Sequence, residues 1–535
     1  MPLFFRVIPN VYRDSVSLMQ LSSRLAEGKG IEQVAVVMAT PANLDLLREA
    51  GFLDGVPDAK PSDVLALVKA KSAVLATPVL DQVTGALAPM SVGTHSASIQ
   101  PGMMKSRSLG MALDRGADAN LALISVPGEY AAAEAEKALD RGLNVMLFSD
   151  NVSLEDEVAL KSKAASKHLL MMGPDCGTAI IDGMPLGFAN AVRRGRIGCI
   201  GASGTGLQQV TSLIDGMGEG ISQAIGTGGR DLSKEVGGRT MLAALKLLAR
   251  DPATAVIVLI AKPPHPEVAT RVIGRAAKIK KPVIVCFIGD GAAKPSGNLR
   301  FAQTLDEAAR VAVAVARGKR AAATPTKLSL PRDAKPRGTK SSGAKFIATQ
   351  QYIRGLYSGG TFCYEASMLL AAQSDDTWSN ASVRADRSLD DPWQSRGHSL
   401  IDLGDDVFTR GRPHPMIDHR LRNERMLKEA GDASVAVILL DIVLGHGADI
   451  DPAVAMSPAI GAARARAAKG KRRLVFVGFI CGTLADPQDL TQQTKALTDA
   501  GVVLARSNAE AVRLAAAIVK PLASKALPSQ KGKRS

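Results

Sequence analysis

The sequence predicts an α/β fold built from three parallel-sheet units. Aromatic residues make up only 4% of the 535 residues, while small and aliphatic residues dominate. This composition is typical of parallel sheets, whose strands are buried on both faces and read as continuous aliphatic runs. Such runs alternate with helical segments of roughly 10–15 residues, as in βαβ units. The last unit also repeats the element order of the one before it, so 254-TAVIVLIAK-262 corresponds to 434-SVAVILLDI-442.

The first unit is predicted over residues 1–190. Asp14 is a favourable N-cap for its first helix, and residues 91–108, rich in Ser and Gly, predict a surface loop. Its predicted strands are 3–8, 33–40, 120–127, 143–150 and 168–173, and its predicted helices are 14–28, one that starts at Pro41, 129–141 and 154–167.

The second unit is predicted over residues 191–318 and the third over residues 346–519. Their predicted strands are 196–202, 221–226, 254–262, 282–289, 351–360, 398–406, 434–445 and 473–479, each followed by a helix. Between the two units, residues 319–345 are basic and rich in Pro, Ala and Lys, without hydrophobic periodicity. This segment predicts a linker, and residues 520–535 predict a basic tail.

The net charge of +15 is concentrated outside the predicted folded units. Residues 316–345 contain nine Lys or Arg and one Asp, and residues 520–535 contain five Lys or Arg and no acidic residue. The basic charge therefore belongs to a solvated linker and tail, and we expect no specific nucleic-acid partner.

The apolar segments and the cysteines indicate a cytoplasmic protein. No stretch approaches 18 apolar residues, so no membrane span is expected, and the first ten residues lack the features of a signal peptide. The five cysteines lie far apart and form no CxxC pair. This spacing favours a reducing compartment over a disulfide scaffold or a structural zinc site, and we expect no bound metal.

Two glycine-rich segments, 201-GASGTG-206 and 358-SGGT-361, each lie where a predicted strand turns into a helix. A helix N-terminus presents unpaired N–H groups and partial positive charge, so it binds phosphate or carboxylate. Glycine serves tight strand–helix packing equally well, but two such loops at equivalent positions favour anion binding. We therefore predict two phosphate loops whose helices face one site.

Neither loop carries a Walker A sequence or the dinucleotide fingerprint. No GK[ST] follows either of them, which excludes a Walker A loop. Neither matches the GxGxxG dinucleotide fingerprint with its acidic residue about 20 positions later.

Further candidate residues lie at predicted strand ends, where open α/β sheets bind ligands. Arg230 and Asp231 either contact substrate or cap a turn. Arg410 and Arg412 are natural forks for carboxylate or phosphate, and His414 is a candidate acid/base or transient phosphoryl carrier. We take His414, Arg412 and Asp231 as the predicted catalytic residues.

Two other residue patterns point away from catalysis and metal binding. His414 and His419 do not have the spacing of a zinc helix motif. Cys176 is a candidate nucleophile after a Gly-Pro-Asp turn, but the favoured interpretation is a small buried packing residue.

Residues 118–290 resemble the α-subunit of succinyl-CoA synthetase in motif order and spacing. Segments 121-LALISVP-127 and 149-SDN-151 are similar to two CoA-contacting segments of that family, and 203-SGT-205 is similar to its phosphate helix. Segments 173-GPDC-176 and 226-GTGGRD-231 match its GPNC and GxGGD motifs. Residues 351–485 resemble the carboxyl-terminal ligase domain of the β-subunit, with 358-SGGT-361 at the second phosphate helix.

The fused layout is similar to the FdrA family, together with 40-TPAN-43, 124-ISVPGEYA-131, 149-SDNVSLEDE-157 and 411-GRPHPMID-418. The resemblance implies an N-terminal Rossmann-like domain of the CoA-binding type and two flavodoxin-like ligase domains. It assigns CoA contacts to Ser125, Val126, Pro127, Ser149, Asp150 and Asn151. It assigns phosphate contacts to Ser203, Gly204, Thr205, Gly359, Gly360 and Thr361.

The chain departs from the synthetases where their phosphoryl relay lies. Their phosphohistidine segment corresponds to 291-GAAKPSGNLRFA-302, which contains no histidine. The glutamate beside that histidine corresponds to Lys262, and a substrate-contacting tyrosine corresponds to Gln208. No ATP-grasp domain is present in the sequence.

Three functions follow from the resemblance and its departures. The first is a succinyl-CoA-synthetase-like acyl-CoA ligase that works through an acyl phosphate and uses CoA and phosphate, with ATP handled by another subunit. The second is a subunit of a carbamoyltransferase, a role associated with the FdrA family, which phosphorolyses a ureide such as oxalurate to carbamoyl phosphate. The third is a non-catalytic scaffold or regulatory subunit. Additional protein subunits and a small acyl or carbamoyl substrate are expected as partners.

Overall fold

The computed structural model describes residues 1–9, 11, 13, 15–26, 28, 30–49, 52, 59–87, 106, 108–116, 118–289, 295–319, 345–410 and 412–526. These residues form two compact units. The first unit contains residues 1–175 and 406–418, and the second contains residues 176–405 together with the chain from His419 onward. Residues 406–418, which fall in the range predicted for the third unit, thus belong to the first unit. Most of the predicted loop 91–108 and linker 319–345, and the tail beyond residue 526, lie outside the described residues.

The first unit begins with an antiparallel sheet. Its elements are β1 (Leu3–Ile8), α1 (Ser15–Leu25), β2 (Ile31–Met38), α2 (Pro41–Glu49), β3 (Val64–Ala70) and α3 (Ala73–Leu87). The strand order is β1-β3-β2, and both outer strands run antiparallel to β3. The Rossmann-like prediction therefore does not hold over residues 3–87. An aliphatic run marks a buried strand but carries no information about its direction, which is why the sequence pattern missed this.

A parallel sheet follows within the same unit. Its elements are α4 (Leu109–Asp114), β4 (Leu121–Ile124), α5 (Gly128–Asp140), β5 (Asn144–Leu147), α6 (Leu154–Ser166) and β6 (Met171–Met172). The strand order β4-β5-β6 is parallel throughout, as the alternating pattern predicts. Helix α5 packs on the sheet through a stripe of fully buried alanines, Ala131, Ala135 and Ala138, which allow close approach of helix and strand.

The second unit contains two sheets. The elements of the first are β7 (Thr178–Ile181), β8 (Met184–Gly187), β9 (Arg194–Gly201), α7 (Gly204–Gly216), β10 (Ile221–Gly226), α8 (Arg239–Arg250), β11 (Val256–Ala261), α9 (Pro266–Ala276), β12 (Val283–Phe287), β13 (Leu299–Phe301) and α10 (Leu305–Ala316). Its order is β13-β12-β11-β9-β10-β7-β8, with β9 to β13 parallel and the β7–β8 hairpin antiparallel at one edge.

The other sheet of the second unit is parallel throughout. Its elements are β14 (Tyr352–Tyr357), α11 (Gly360–Ala371), β15 (Thr377–Ser379), β16 (His398–Asp402), α12 (Asp406–Thr409), α13 (Arg420–Gly431), β17 (Val435–Val443), α14 (Pro452–Lys469), β18 (Val475–Cys481), α15 (Leu490–Asp499), β19 (Val502–Ala505) and α16 (Asn508–Ala526). The order is β15-β16-β14-β17-β18-β19, and all nine residues of β17 are buried. Helix α12 is the exception, since it lies in the first unit.

The topology places two helix starts at ligand-binding positions. Strand β9 lies between β11 and β10, and β14 lies between β16 and β17, so the chain changes direction across each sheet next to these strands. Clefts at such switch points, beyond the carboxyl ends of the strands, are where open α/β sheets bind ligands. Helices α7 and α11 begin there, directly after the two glycine-rich loops. Among the described residues, no helix is both long and apolar enough to cross a bilayer.

A buried carboxylate, Glu365 in α11, joins three helices of the second unit. Its Oε1 accepts the Leu305 N–H at the start of α10 at 2.7 Å, and its Oε2 accepts from Asn508 Nδ2 at the start of α16 at 2.8 Å. Burial, reinforced by Asp306, raises the pKa of Glu365 to about 7 against these hydrogen bonds. The carboxyl therefore binds its proton more tightly in the folded than in the unfolded protein.

Replacing Glu365 with Gln is expected to flatten the pH dependence of stability. Because the folded-state pKa is raised, the contribution of Glu365 to stability is complete below about pH 4.3 and is lost as pH rises to about 7, by about 3 kcal/mol. The free energy of unfolding, measured with urea at several pH values between these limits, should change less with pH in Glu365→Gln than in the wild type. Glu424→Gln, at an exposed position of α13, should keep the wild-type slope. If the free energy of unfolding changed equally with pH in the wild type and in Glu365→Gln, the raised pKa of Glu365 would be contradicted.

Candidate functional site

The two glycine-rich loops meet in the second unit. Ser203 Oγ lies 2.5 Å from Thr361 Oγ1, so a hydrogen bond joins the starts of α7 and α11. A Cβ atom at Gly359 would lie 2.8 Å from the methyl group of Thr205, so the absence of a side chain allows this approach. Two helix N-termini therefore converge on one place, as their equivalent positions in the repeated units predict.

The first loop forms the capped start of α7. Ser203 is the N-cap of α7, and its Oγ accepts the Gly206 N–H at 2.9 Å. The N–H groups of Gly204 and Thr205 lie in the first turn, where a helix provides no acceptor. A helix start of this kind favours a phosphate oxygen near Gly204 and Thr205.

The second loop differs because a carboxylate of the protein already occupies part of it. Asp441 in β17 accepts from the Ser358 N–H at 2.8 Å, the Ser358 hydroxyl at 2.8 Å and the Gly359 N–H at 3.0 Å. Gly359 is therefore not a free phosphate donor as predicted, because its N–H is bonded to Asp441. Of the phosphate-contacting residues predicted in the second loop, Gly360 and Thr361, in the first turn of α11, remain candidates.

Asp441 also forms an ion pair with a buried arginine. Arg422 in α13 places Nη2 3.2 Å from Asp441 Oδ1, and neither side chain has measurable exposure. Burial lowers the pKa of Arg422, and the neighbouring Asp441 opposes that shift. The ion pair thus neutralises the carboxylate that anchors the second loop.

A lysine and a second carboxylate flank the start of α11. Lys262 directly follows β11, and Asp402 ends β16, so each lies at the carboxyl end of a strand. A Cβ atom at Gly360 would overlap Asp402 Oδ2 and lie 3.5 Å from Lys262 Nζ. Burial raises the pKa of Asp402 to about 7, while Lys262 and the Gly404 N–H oppose the shift. An ammonium group and a carboxyl that titrates near neutrality therefore lie beside the paired helix starts.

Asp231 does not have the geometry of the predicted catalytic residue. Its side chain is fully buried, and its two oxygens accept the N–H groups of Thr240 at 3.1 Å and Met241 at 2.9 Å. Both donors lie in the first turn of α8, whose N-cap, Gly238, offers no side chain. Asp231 therefore caps that helix, which agrees with the capping interpretation given for it from the sequence.

His414 and Arg412 lie in the first unit, whereas the paired loops lie in the second. His414 Nδ1 accepts the Met416 N–H at 3.2 Å, so a neutral imidazole carries its proton on Nε2. A phosphoryl carrier needs an unprotonated ring nitrogen facing its donor. The local geometry therefore places Nδ1 against the backbone, and the carrier role of His414 stays a prediction.

The six predicted CoA-contacting residues form two adjoining segments of the first unit, 125–127 and 149–151. Ser149 Oγ donates to the Val126 carbonyl at 2.5 Å, and a Cβ at Gly128 would overlap the backbone of Asp150 and Asn151. Asn151 has a φ of 53°, in the left-handed region that asparagine tolerates. Burial, with Asp406 nearby, raises the pKa of Asp150. The structure brings Ser125, Val126, Pro127, Ser149, Asp150 and Asn151 together, but some of their polar groups are bonded to one another.

The cysteines and histidines provide no metal centre in the part of the chain that the structure describes. No group of three His, Cys, Asp or Glu is placed there to hold an ion. All five cysteines are buried and free, and Cys176 Sγ donates to the Thr178 carbonyl at 3.7 Å. This burial agrees with the packing interpretation of Cys176.

Sequence reasoning missed Asp402 and Asp441 and noted Lys262 only as a departure from the synthetases. All three lie in or directly after strands that end at the same edge as the loops. Asp402 and Asp441 lie within aliphatic runs, 398-HSLIDLG-404 and 435-VAVILLDIVLG-445. A carboxylate within a predicted buried strand is unusual, and this feature could have identified both residues as candidates.

Three family descriptions match parts of the chain. CoA-ligase matches residues 356–518, the CoA binding domain matches residues 192–289, and the heavy metal-associated domain of AllF matches residues 1–101. The CoA binding match therefore begins after the predicted CoA segments, in the unit predicted as the first ligase domain. Residues 1–101 contain no cysteine, the thiolate donor of soft-metal sites.

Some similar proteins match nearly the whole chain, and others match only part of it. The uncharacterized protein YahF of Escherichia coli is 44% identical over 94% of this chain and 95% of its own length. A mitochondrial succinate–CoA ligase α-2 subunit of Trichomonas vaginalis is 28% identical over 35% of this chain and 61% of that subunit. An acetyl-coenzyme A synthetase of Ca. Korarchaeum cryptofilum is 15% identical, with 81% of this chain and 88% of that chain covered and a TM-score of 0.33. With a full-length relative of this similarity and the CoA-ligase and CoA binding matches, the chain belongs to the FdrA family, whose fold is similar to that of succinyl-CoA ligases.

Proposed function

We propose that the chain is an acyl-CoA ligase-like enzyme that acts through an acyl phosphate, with the phosphate bound at the first turn of α7. The observation that carries the proposal is the hydrogen bond between Ser203 and Thr361, which joins two helix starts at the carboxyl edges of two sheets. Membership in a family similar to the succinyl-CoA ligases supports the same chemistry.

The charges around the starts of α7 and α11 are compatible with binding of one phosphate group. The N–H groups of Gly204 and Thr205 face a bound anion, and Lys262 adds a cation. Asp441 is neutralised by Arg422, so it does not repel the phosphate as an isolated carboxylate would. Preorganised donors of this kind stabilise the charge that develops on the phosphate oxygen and on the acyl carbonyl.

The reaction that this arrangement serves is exchange of an acyl group between a thiol and phosphate. A phosphate oxygen attacks the thioester carbonyl, the C–S bond breaks, and an acyl phosphate and a CoA thiol result. We assign phosphoryl transfer to or from a nucleotide to an additional protein subunit. No step is assigned to residues 125–127 and 149–151, whose polar groups are partly bonded to one another.

A second candidate function is phosphorolysis of an N-carbamoyl compound such as oxalurate to carbamoyl phosphate. The observation that favours it is the placement of Lys262 and Asp402 beside the paired starts. This arrangement provides phosphate binding and a titrating carboxyl without a histidine carrier, and residues 291–302 contain no histidine. Only the identity of the leaving group distinguishes the two candidates.

Phosphorus NMR tests the proposal. The full-length chain, purified with any subunits that accompany it, is mixed with inorganic phosphate and either a panel of acyl-CoA thioesters or an N-carbamoyl compound. We expect an acyl phosphate signal that is lost in Ser203→Ala and Thr361→Ala. Thr270→Ala, on the exposed face of α9, should behave as wild type. Absence of an acyl phosphate from either substrate class would favour a non-catalytic scaffold and contradict the proposal.

A further inference from the structure

We propose that Lys262 is a self-acylation site. The acyl phosphate held at the helix starts transfers its acyl group to the Lys262 amine, and the loss of this cation then slows the enzyme. The inference rests on the proposed function, because that function supplies the acyl phosphate. It goes beyond that function by assigning a covalent modification, and a control by the product, to one side chain.

Lys262 lies next to both glycine-rich loops. Its backbone directly follows β11, and in that strand the Ile260 carbonyl accepts the Ala202 N–H of the first loop at 3.0 Å. At the second loop, a Cβ atom added to Gly360 would lie 3.5 Å from Lys262 Nζ. An acyl phosphate whose phosphate is bound at the start of α7 therefore lies within reach of the amine.

The ammonium group of Lys262 is accessible to a ligand. The residue is exposed, and within the described chain no hydrogen bond or ion pair occupies Nζ. Nζ lies 5.8 Å from the ring centroid of Tyr364, which is a weak contact at an exposed position. Lys281 is a contrasting case, since its Nζ donates to two backbone carbonyls at 2.8 and 2.6 Å. Lys262 is therefore free to turn towards a bound acyl group.

Asp402 provides the proton acceptor that the amine needs. Its Oδ2 lies beside the same Gly360 position as Lys262 Nζ, whereas its Oδ1 accepts the Gly404 N–H at 3.0 Å. Burial raises the pKa of Asp402 to about 7, so this carboxylate binds a proton more readily than an exposed one. A base within hydrogen-bond reach, or one water molecule away, produces the neutral amine that acts as a nucleophile.

The acylation step balances without a further reactant. The Lys262 ammonium group gives one proton to Asp402, and the amine nitrogen attacks the acyl carbonyl. The C–O bond to phosphate breaks, and a second nitrogen proton passes to the departing phosphate. The products are an acylated lysine, hydrogen phosphate and a proton that Asp402 releases to water. The neutral amide no longer attracts a phosphate dianion, so acylation weakens phosphate binding at the start of α7.

Peptide mass spectrometry tests the modification site. The full-length chain, purified with any subunits that accompany it, is incubated with acetyl phosphate, with and without excess inorganic phosphate. We expect Lys262 to be acetylated at least about 10-fold faster than Lys246, an exposed lysine of α8, because binding raises the effective concentration of the reactant at Lys262. Inorganic phosphate should protect Lys262 and leave Lys246 unchanged, and Asp402→Asn should lose the preference for Lys262.

Turnover tests the consequence of the modification. In wild type, the rate of acyl phosphate formation from an acyl-CoA and phosphate should fall by about 10-fold or more as Lys262 becomes acylated. Lys262→Gln, which resembles the acylated residue, should start at this low rate. Lys262→Arg keeps the cation without the nucleophilic amine, so its rate should not decline with time. Lys246→Arg is the matched control and should decline as wild type does.

The outcomes separate failure of the inference from failure of the proposed function. Equal acetylation of Lys262 and Lys246, or no protection by inorganic phosphate, would overturn the modification site, while formation of an acyl phosphate from a thioester would leave the proposed function intact. Full turnover with Lys262 completely acylated would overturn the control by the product. Selective acetylation of Lys262 in a protein that forms no acyl phosphate from a thioester would overturn the proposed function and support the site.

Discussion

Replacing Asp441 with alanine is expected to destabilise the second unit by about 3–5 kcal/mol. The substitution removes the acceptor of the Ser358 N–H, the Ser358 hydroxyl and the Gly359 N–H. It also leaves the guanidinium of Arg422, which has no exposed surface, without its carboxylate partner. An unpaired buried charge and three unpaired donors are costly together, because neither water nor another protein group replaces the lost acceptor. Urea unfolding followed by circular dichroism measures the change.

The control for this substitution is an exposed aspartate of the same unit. Asp499→Ala removes an i,i+4 ion pair with Lys495 on the surface of α15 and should change stability by about 0.5 kcal/mol or less. If Asp441→Ala were as mild as Asp499→Ala, Asp441 would not anchor the second loop. Asp441→Asn should fall between the two, since its amide oxygen keeps part of the acceptor function.

Gly360→Ala is expected to reduce phosphate-dependent turnover by about 100-fold. The added methyl group would overlap Asp402 Oδ2 and would lie 3.5 Å from Lys262 Nζ. Asp402 or the first turn of α11 must then move, and a displacement of about 1 Å in a reacting geometry has an effect of this size. The rate of acyl phosphate formation is the measurement, with circular dichroism to confirm that the fold is retained.

The matched control for Gly360→Ala is Gly461→Ala in the interior of α14. No atom lies within 4 Å of a Cβ at Gly461, and alanine restricts the unfolded chain. This variant should keep full activity and gain about 0.4–1 kcal/mol of stability. Wild-type turnover in Gly360→Ala would show that the start of α11 takes no part in the reaction.

The two variants examine different properties of one helix start. Asp441 accepts hydrogen bonds from the backbone of the second loop, so its loss should appear mainly in stability. Gly360 leaves space for Asp402 and Lys262 at the start of α11, so its substitution should appear mainly in activity. A common loss of both properties in both variants would indicate that the loop only stabilises the fold.

Much of the architecture follows from local sequence patterns. Aliphatic runs alternating with helices predict parallel sheets because a buried parallel strand has no polar face, and all nine residues of β17 illustrate this. The same reasoning failed over residues 3–87, where the runs are equally aliphatic but β1 and β2 pair antiparallel with β3. Strand direction depends on pairing across the sheet, which no local pattern encodes.

The sequence alone determined the position of both loops, because a glycine-rich turn marks the point where a strand passes into a helix, and anion binding by these helix starts stays a prediction. Only the tertiary structure decided how each loop is used. It placed Ser203 against Thr361, bonded Asp441 to the N–H of Gly359, and directed Asp402 at Gly360. These residues are 158, 82 and roughly 40 positions apart in the chain. Contacts over such separations arise from the packing of whole sheets, so no periodicity or motif reveals them.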